Sequence, residues 1–325
     1  HPSIETLNEI INSAAVDSGI DKPLYKNLKT ADLNVYSEIN EEYEANSTLI
    51  YNRPRSRNFH SKNSINIRPF IASREGFLKI AILAENNSEY VIADNFFFSS
   101  NLKLSIWDNF DDLNVPAKDI YLYQVRSDVK DYLNNFNNGL VIGRAQLDYH
   151  ITPKKNNHLM FTAGILEEMF SGIGFEHLYF DPTENYAFGL EMFRVVKRDY
   201  DLHFGHKDYE TNTGFLNFYY RNYGKIPFDT KLSYGKYLGG DKGFTVDLYR
   251  SFPNGAKFGI FATFTDVSSK EFGEGSFDKG IYFNFPFTSN NFINYTWRPL
   301  TKDPGAKLNR KHTLHDLLIK FKPFN

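Results

Sequence analysis

The sequence contains no cysteine, and this absence excludes disulfides, thiolate metal sites and cysteine nucleophiles. It also contains no run of 18 apolar residues, which excludes a transmembrane helix. Positive charge is not in excess, because 37 Lys and Arg residues are set against 39 Asp and Glu. Without a basic field to attract phosphate backbones, nucleic acid is not an expected partner.

Aromatic side chains are abundant instead, with 31 Phe and 21 Tyr in 325 residues. Such residues favour β-strands over helices, and they form the girdles at both interfaces of transmembrane β-barrels. The mean hydropathy of the chain is only -0.46. A membrane barrel is compatible with this value, because its strands alternate apolar and polar residues.

From residue 65 onward, apolar residues recur at every second position in many stretches. An extended strand with this pattern has one apolar face and one polar face. The clearest stretches are 101–106, 144–151, 216–221 and 257–264. A soluble β-sandwich alternates in the same way with its apolar face inward, so alternation alone leaves both folds open.

Strand and connection lengths favour the membrane barrel. The stretches are roughly 9 to 12 residues long, which suits a tilted membrane-spanning strand, whereas soluble strands average about 5 to 6. Short links near 181–185, 223–226, 253–255 and 286–290 alternate with long ones at 198–210, 266–277 and 300–311, although the link at 238–242 is shorter than this pattern requires. We therefore predict an all-β fold, an antiparallel transmembrane β-barrel of about 12 to 16 strands over residues 65–325 in the bacterial outer membrane.

Residues 1–64 are predicted to form a periplasmic helix followed by an irregular segment. An apolar stripe beginning at Ile4 indicates a helix over residues 3–19. The polar stretch that follows carries Arg53, Arg55 and Arg57, which indicates a solvated loop or, alternatively, contact with anionic sugars or lipid headgroups. Because the chain starts at His1 rather than Met, we expect that a signal peptide was removed or that a longer precursor was processed.

The end of the chain is predicted to close the barrel. Leu317, Ile319 and Phe321 lie at alternate positions and would share one face of a final strand. The short turns and the C-terminus would then lie on the periplasmic side, and the long loops would lie outside.

Six segments together resemble the YjbH/GfcD family of exopolysaccharide or capsule proteins. They occur in the family's order over residues 65–318, and it is their combination that is specific. They are VRSD at 125–128, GILEEMFSGIG at 164–174, a broken segment from RDY at 198–200 to TG at 213–214, FTDV at 264–267, FGEGSFDKGI at 272–281 and RPLTKDPGAKL at 298–308.

The resemblance implies an outer-membrane β-barrel encoded beside exopolysaccharide or capsule genes, with periplasmic and lipoprotein partners. It implies a role in moving or anchoring polysaccharide, with outer-membrane lipid and polysaccharide as the contacted molecules and with no established enzymatic activity. Family members are usually about twice this length, so the chain resembles their C-terminal half. A separate N-terminal family half is therefore an expected partner.

Charged residues in the long loops, with some on the adjoining strands, are the candidate functional residues. One interpretation is that they pair with one another, fold the loops inward and plug or brace the lumen. The alternative is a lumen lined with donors, acceptors and aromatic rings that contacts sugars, with Tyr200, Tyr209, Tyr219 and Tyr282 stacking on sugar faces. The candidates are Arg126, Asp128, Arg194, Arg198, Asp199, Asp208, Glu274, Asp278, Lys279, Arg298, Asp303 and Lys307.

Catalytic, metal and cofactor sites are not predicted. Glu167 and Glu168 could suggest glycoside hydrolysis, but consecutive residues of one strand face opposite sides and cannot flank one bond. His203 and His206 lack a further apparent ligand for a metal. Export or assembly of polysaccharide is thus the leading hypothesis, a structural anchor that docks partner proteins or a surface layer is the second, and an outer-membrane enzyme is the third.

Overall fold

The computed structural model describes residues 58–73, 76–93, 95–111, 113, 123–137, 139–181, 183–224, 226–252, 256–272, 277–288, 291–297 and 303–319. Thirteen strands form one sheet in this part of the chain. They are β1 Phe59–Ser73, β2 Gly76–Ala93, β3 Phe96–Asp108, β4 Leu140–Lys154, β5 Asn157–Ile165, β6 Phe170–Phe180, β7 Tyr186–Arg198, β8 His206–Asn222, β9 Phe228–Lys236, β10 Lys242–Ser251, β11 Lys257–Thr265, β12 Asp278–Thr288 and β13 Asn291–Trp297. The short helices are α1 Val129–Leu133, α2 Ser269–Phe272 and α3 Leu314–Ile319.

Every strand pairs antiparallel with the next one along the chain, so the sheet is a simple meander from β1 to β13. This confirms the predicted all-β, antiparallel barrel class, and thirteen strands fall within the predicted range. Most strands are long, with 18 residues in β2 and 17 in β8. In the described residues β1 pairs only with β2, and β13 pairs only with β12.

The two faces of the sheet have opposite chemistry. On β8, Leu216 and Tyr220 are exposed on one face, whereas Asn217, Tyr219 and Arg221 are buried on the other. A soluble sandwich would bury its apolar face, so the second fold considered from the sequence is wrong. A polar inner face and an apolar outer face are typical of transmembrane barrels.

The connections also follow the predicted alternation. Two to five residues join β4 to β5, β6 to β7, β8 to β9 and β10 to β11, all at one end of the sheet. The opposite end carries the long connections between β3 and β4, between β7 and β8 and between β11 and β12, as well as the chain after β13. Short links between β1 and β2, between β5 and β6 and between β9 and β10 lie at this end as well. Successive antiparallel strands place alternate connections at opposite ends, so all the long connections share one end.

The sheet curls around residues 303–316, which we call the lumenal segment. These residues contact the polar face of β2 through Glu89, of β6 through Glu176 and of β11 through Thr263. The predicted closing strand is wrong for Leu317 and Ile319, because this stretch lies in helix α3 instead. Phe321 lies outside the described residues.

The boundary between the two predicted regions differs from the structure, because β1 already begins at Phe59, before the predicted start at Ile65. The predicted helix over 3–19 and the patch of Arg53, Arg55 and Arg57 lie outside the described residues. Where the chain is described, none of its helices is long and apolar enough to span a membrane.

Candidate functional site

The connections at the end of the sheet that carries the long loops fold inward and form a hydrophobic core there. We call this the loop cap; it comprises the described residues of 109–137, together with 166–169, 199–205, 237–241 and 303–306. Its centre is built from side chains that are almost fully buried, namely Phe110, Leu113, Val125, Tyr132, Phe136, Leu166, Leu202, Leu238 and Ala306. Burial of these side chains supplies the hydrophobic free energy that holds the loops over the barrel end.

Asp303 joins two distant loops of the cap. Its Oδ1 accepts hydrogen bonds from the backbone N–H groups of Val125 at 2.7 Å, Arg126 at 2.7 Å and Ser127 at 2.9 Å. Burial raises the pKa of Asp303, and the hydrogen bonds from these N–H groups partly oppose that shift. The sequence candidate Asp303 is therefore the acceptor that fixes the start of the lumenal segment.

Arg126 makes a second connection between the same elements. Its guanidinium lies 2.7 Å from Glu167 Oε1 and donates to the carbonyl of Lys307 at 2.7 Å. Glu167 in turn accepts the backbone N–H of Asn309 at 2.9 Å. One arginine and one carboxylate thus link the β5–β6 turn to the lumenal segment.

Arg198 lies at the end of β7 directly below the loop cap and binds backbone carbonyls of several connections. Among the described residues, no carboxylate pairs with it. Its side chain is fully buried, and its two terminal nitrogens donate to five backbone carbonyls. These carbonyls belong to Ile142, Glu167, Glu168, Leu202 and His203, at 2.7 to 3.1 Å. A planar guanidinium suits this role because its donors point in fixed directions.

Lys197 and Asp128 form a buried ion pair beside Arg198. Tyr200 donates its hydroxyl hydrogen to Asp128 at 3.1 Å. Tyr132 donates to the carbonyl of Arg198 at 2.6 Å, which ties helix α1 to the end of β7. A buried pair with these additional hydrogen bonds contributes orientation more than net stability.

Glu167 and Glu168 lie in the turn between β5 and β6, so the sequence argument that placed both on one strand is wrong. Glu168 lies 2.8 Å from both Arg68 on β1 and Lys103 on β3. Burial would raise the pKa of Glu168, but these two cations outweigh it and hold the pKa well below its ordinary value. The two carboxylates serve different cations and do not form a hydrolytic pair.

Below the cap, the lumenal segment is held to the barrel wall by its own basic side chains. Arg310 pairs with Glu176 on β6 and with Glu191 on β7, the latter at 2.7 Å. Lys311 lies 2.8 Å from Glu89 on β2. At the short-turn end, the ring of His315 stacks on Tyr219 with centroids 3.5 Å apart. The segment therefore crosses the lumen and contacts opposite parts of its wall.

Several sequence candidates do not take part in these contacts. Arg194 and Asp208 are exposed on the outer face, where Arg194 pairs with Glu210 at 3.0 Å. Lys279 lies on the outer side of β12, over the ring of Phe277 at 4.1 Å. Glu274 and Arg298 lie outside the described residues.

The remaining candidates lie within or next to the cap. Asp199 packs against Gly205 in the β7–β8 loop, and the buried Asp278 lies next to Gly305. Lys307 lies over the Phe215 ring at 4.6 Å. Of the tyrosines proposed to stack on sugars, Tyr200 is covered by Lys207 at 3.4 Å, and Tyr219 by His315.

The lumenal segment and the loop cap cover much of the inner face of the sheet. Inward side chains at many heights of the wall are buried, including Gln146, Thr162, Ser233 and Thr245. His203 and His206 are exposed, and no cluster of three or more His, Asp or Glu able to hold a metal occurs in the described stretches. The interpretation that charged loops plug and brace the barrel fits this geometry better than a sugar-lined channel.

Sequence reasoning missed the residues that fix the lumenal segment to the wall. Glu89, Glu176, Glu191 and Arg310 lie on elements far apart in the chain, and only the curl of the sheet brings them together. The sequence did carry one signal for them: β2, β6 and β7 each place a carboxylate on their polar face, and charges in a barrel interior must pair or meet water.

Comparison with known proteins places these features in a family. The profile of the family described as "YjbH: Exopolysaccharide biosynthesis protein YbjH" matches residues 14–320. The "Uncharacterized lipoprotein YjbH" of Escherichia coli K12 is 32% identical over 259 residues, which are 76% of this chain and 36% of that protein. The chain thus spans about a third of the length of this relative.

Among solved structures, "Salmonella typhi OmpF complex with Daunomycin" superposes with a TM-score of 0.40 and 10% identity, over 75% of this chain and 90% of that one. The fold assignment rests on the sheet itself rather than on this likeness. The family profile covers most of the chain and includes both the barrel strands and the loop cap. The chain belongs to the YjbH exopolysaccharide biosynthesis family.

Proposed function

We propose that this protein is an outer-membrane β-barrel that takes part in the export or surface assembly of exopolysaccharide. We further propose that its lumen is closed at rest by the lumenal segment and the loop cap, and that its role is transport rather than catalysis. The family supports the link to exopolysaccharide. The exposed apolar outer face supports contact with outer-membrane lipid, because water would not favour so many exposed large apolar side chains.

The observation that carries the proposal is the attachment of the lumenal segment by Arg310. This guanidinium lies between Glu176 and Glu191 with only 3% of its side chain exposed. Removing one partner of a buried pair costs about 3–5 kcal/mol, because the charge left behind loses its compensation. A partner that competes for these carboxylates would release the segment and open the lumen.

Conductance of the purified protein in planar bilayers tests the resting state. We expect little conductance from the wild type and frequent openings from Arg310→Gln. Arg194→Gln is the matched control, since it removes a guanidinium from an exposed pair on the outer face. A large, steady wild-type conductance, or no difference between the two variants, would contradict a plug held by Arg310.

A disulfide lock tests whether transport needs the segment to move. A Cβ at position 305 would lie 3.5 Å from the Thr263 Cβ, within the range that a disulfide spans. These 325 residues contain no cysteine, so Gly305→Cys with Thr263→Cys would introduce one defined pair into them. We expect oxidised cells carrying this pair to lose polysaccharide at the surface and to regain it after reduction. Gly305→Cys alone carries the same strain from its positive φ, and it should export equally in oxidised and reduced cells. Normal export from the locked barrel would favour the anchor hypothesis instead.

A further inference from the structure

The outer face of the first three strands carries a polar cluster within the apolar belt. Five neighbouring side chains form this cluster, which we call the β1–β3 patch; they are Ser61 and Asn63 on β1, Asn86 and Ser88 on β2, and Ser100 on β3. The strand registers bring them together, since Ser88 lies opposite both Ser61 and Ser100. All five are uncharged, and each side chain both donates and accepts hydrogen bonds.

These side chains point outward rather than into the lumen. Asn86 and Ser88 alternate along β2 with Glu85, Asn87 and Glu89, and Glu89 is buried on the inner face. Asn86 donates to Ser61 at 2.9 Å and to Asn63 at 2.7 Å. The Ser88 hydroxyl lies 2.9 Å from the Ser61 hydroxyl and 2.7 Å from Asn86 Oδ1. These bonds satisfy part of the patch, while Ser61 and Asn63 stay exposed at the surface.

Apolar residues flank the patch on both sides along the same strands. Toward the long loops, the outer face presents Ile65 and Ile67, each 68% exposed. Toward the short turns it presents Phe59, Tyr90 and Ile92, which are also exposed. The patch is therefore inside the belt and not at its rim, and lipid chains cannot supply the hydrogen bonds that its remaining donors and acceptors require.

We propose that the β1–β3 patch is a protein-facing interface, and that its occupant is a strand face rich in Ser, Thr and Asn from the part of the family polypeptide outside the segment matched here. The matched segment is only 36% of the E. coli relative, so the family supplies further polypeptide. The patch also includes two residues of β1, which pairs only with β2 in the described residues and is therefore an edge strand there. Further polypeptide that approaches this edge would lie beside the patch.

This inference rests on the proposed membrane location, because only a lipid environment makes the patch unfavourable when uncovered. Hydroxyl and carboxamide groups can pair with similar groups across an interface without burying charge. A second copy of the chain would present the same chemistry, and the experiment separates the two occupants.

Photo-crosslinking in native envelopes tests the proposal with the full-length protein. A benzophenone amino acid replaces Ser88 in the patch or Leu232 on the outer face of β9. We expect position 88 to cross-link to peptides from outside these 325 residues and position 232 to form lipid adducts. Lipid adducts at position 88 would overturn the interface, and cross-links to a second copy would overturn the assigned occupant. Failure of position 232 to reach lipid would refute the membrane location separately.

Substituting two residues of the patch and measuring the cross-link yield provides a second test. With the benzophenone at position 100, Asn86→Leu together with Ser88→Leu should lower the cross-link yield to the partner peptide at least tenfold. Thr230→Leu is the matched control, because it makes a polar-to-leucine change on the outer face of β9 and should leave the yield unchanged. An unchanged yield in the double variant would overturn the proposal.

Discussion

Replacing Asp303 by alanine should detach the lumenal segment from the loop cap. Asp303 Oδ1 accepts three backbone N–H groups of residues 125–127, and the side chain is fully buried. A hydrogen bond to a charged acceptor contributes about 1.5–3 kcal/mol net. Since the three bonds share one oxygen, we assign them about 3–5 kcal/mol together.

At about 1.4 kcal/mol per factor of ten, this loss raises the open population of the cap by roughly a hundredfold to a few thousandfold. Hydrogen exchange of residues 123–128 is the direct assay, because exchange rates follow the open population when closing is fast. Asp303→Asn keeps an acceptor at the same position and should fall between the wild type and Asp303→Ala.

Asp201→Ala is the control, because this exposed carboxylate accepts the nearby N–H of His203 and lies 3.7 Å from the ring of the same residue, away from residues 125–127. It should leave exchange at 123–128 unchanged. If Asp303→Ala also leaves the protection of residues 125–127 intact, the carboxylate does not hold these loops, and the assignment of Asp303 as the clamp is refuted.

Three further predictions concern pH, backbone geometry and membrane contact. Burial raises the pKa of Asp241 to about 6, so the folded protein binds a proton at this carboxylate more tightly than the unfolded chain does. The contribution of Asp241 to the free energy of unfolding therefore falls as pH rises from about 4 to 6. Asp241→Asn keeps an acceptor for the Gly305 N–H and should remove this loss, with a gain of about 2–3 kcal/mol at pH 7 in denaturant unfolding. Gly164→Ala should destabilise the barrel by more than Gly240→Ala. Both glycines have positive φ, but only a Cβ at position 164 would meet a backbone oxygen, that of Ala145 at 2.3 Å. Equal losses of stability would contradict this steric argument. Leu232→Arg should cost about 2–4 kcal/mol and reduce assembly into outer-membrane fractions, whereas a neutral effect would contradict lipid contact at this position.

The sequence alone was sufficient for the class of fold because barrel strands carry a local signal. Alternation at period two depends only on which side each residue faces, and the length of a connection is visible without any tertiary contact. These signals predicted the antiparallel strands and the segregation of short turns from long loops. They also marked the charged loops as candidates either to plug the barrel or to line it for sugars. Arg126, Asp128 and Asp303 lie in the loop cap, and Arg198 lies directly next to it at the end of β7.

The partners of those charges were decided by the tertiary structure. Asp303 meets residues 125–127 across more than 170 positions of sequence, and Arg310 meets carboxylates on β6 and β7. A periodic pattern states which face a side chain takes but not which distant strand it reaches, because that depends on how the whole sheet curls. The strand predicted from Leu317 and Ile319 was wrong, because alternation over so few residues is a weak signal and this stretch forms helix α3 instead.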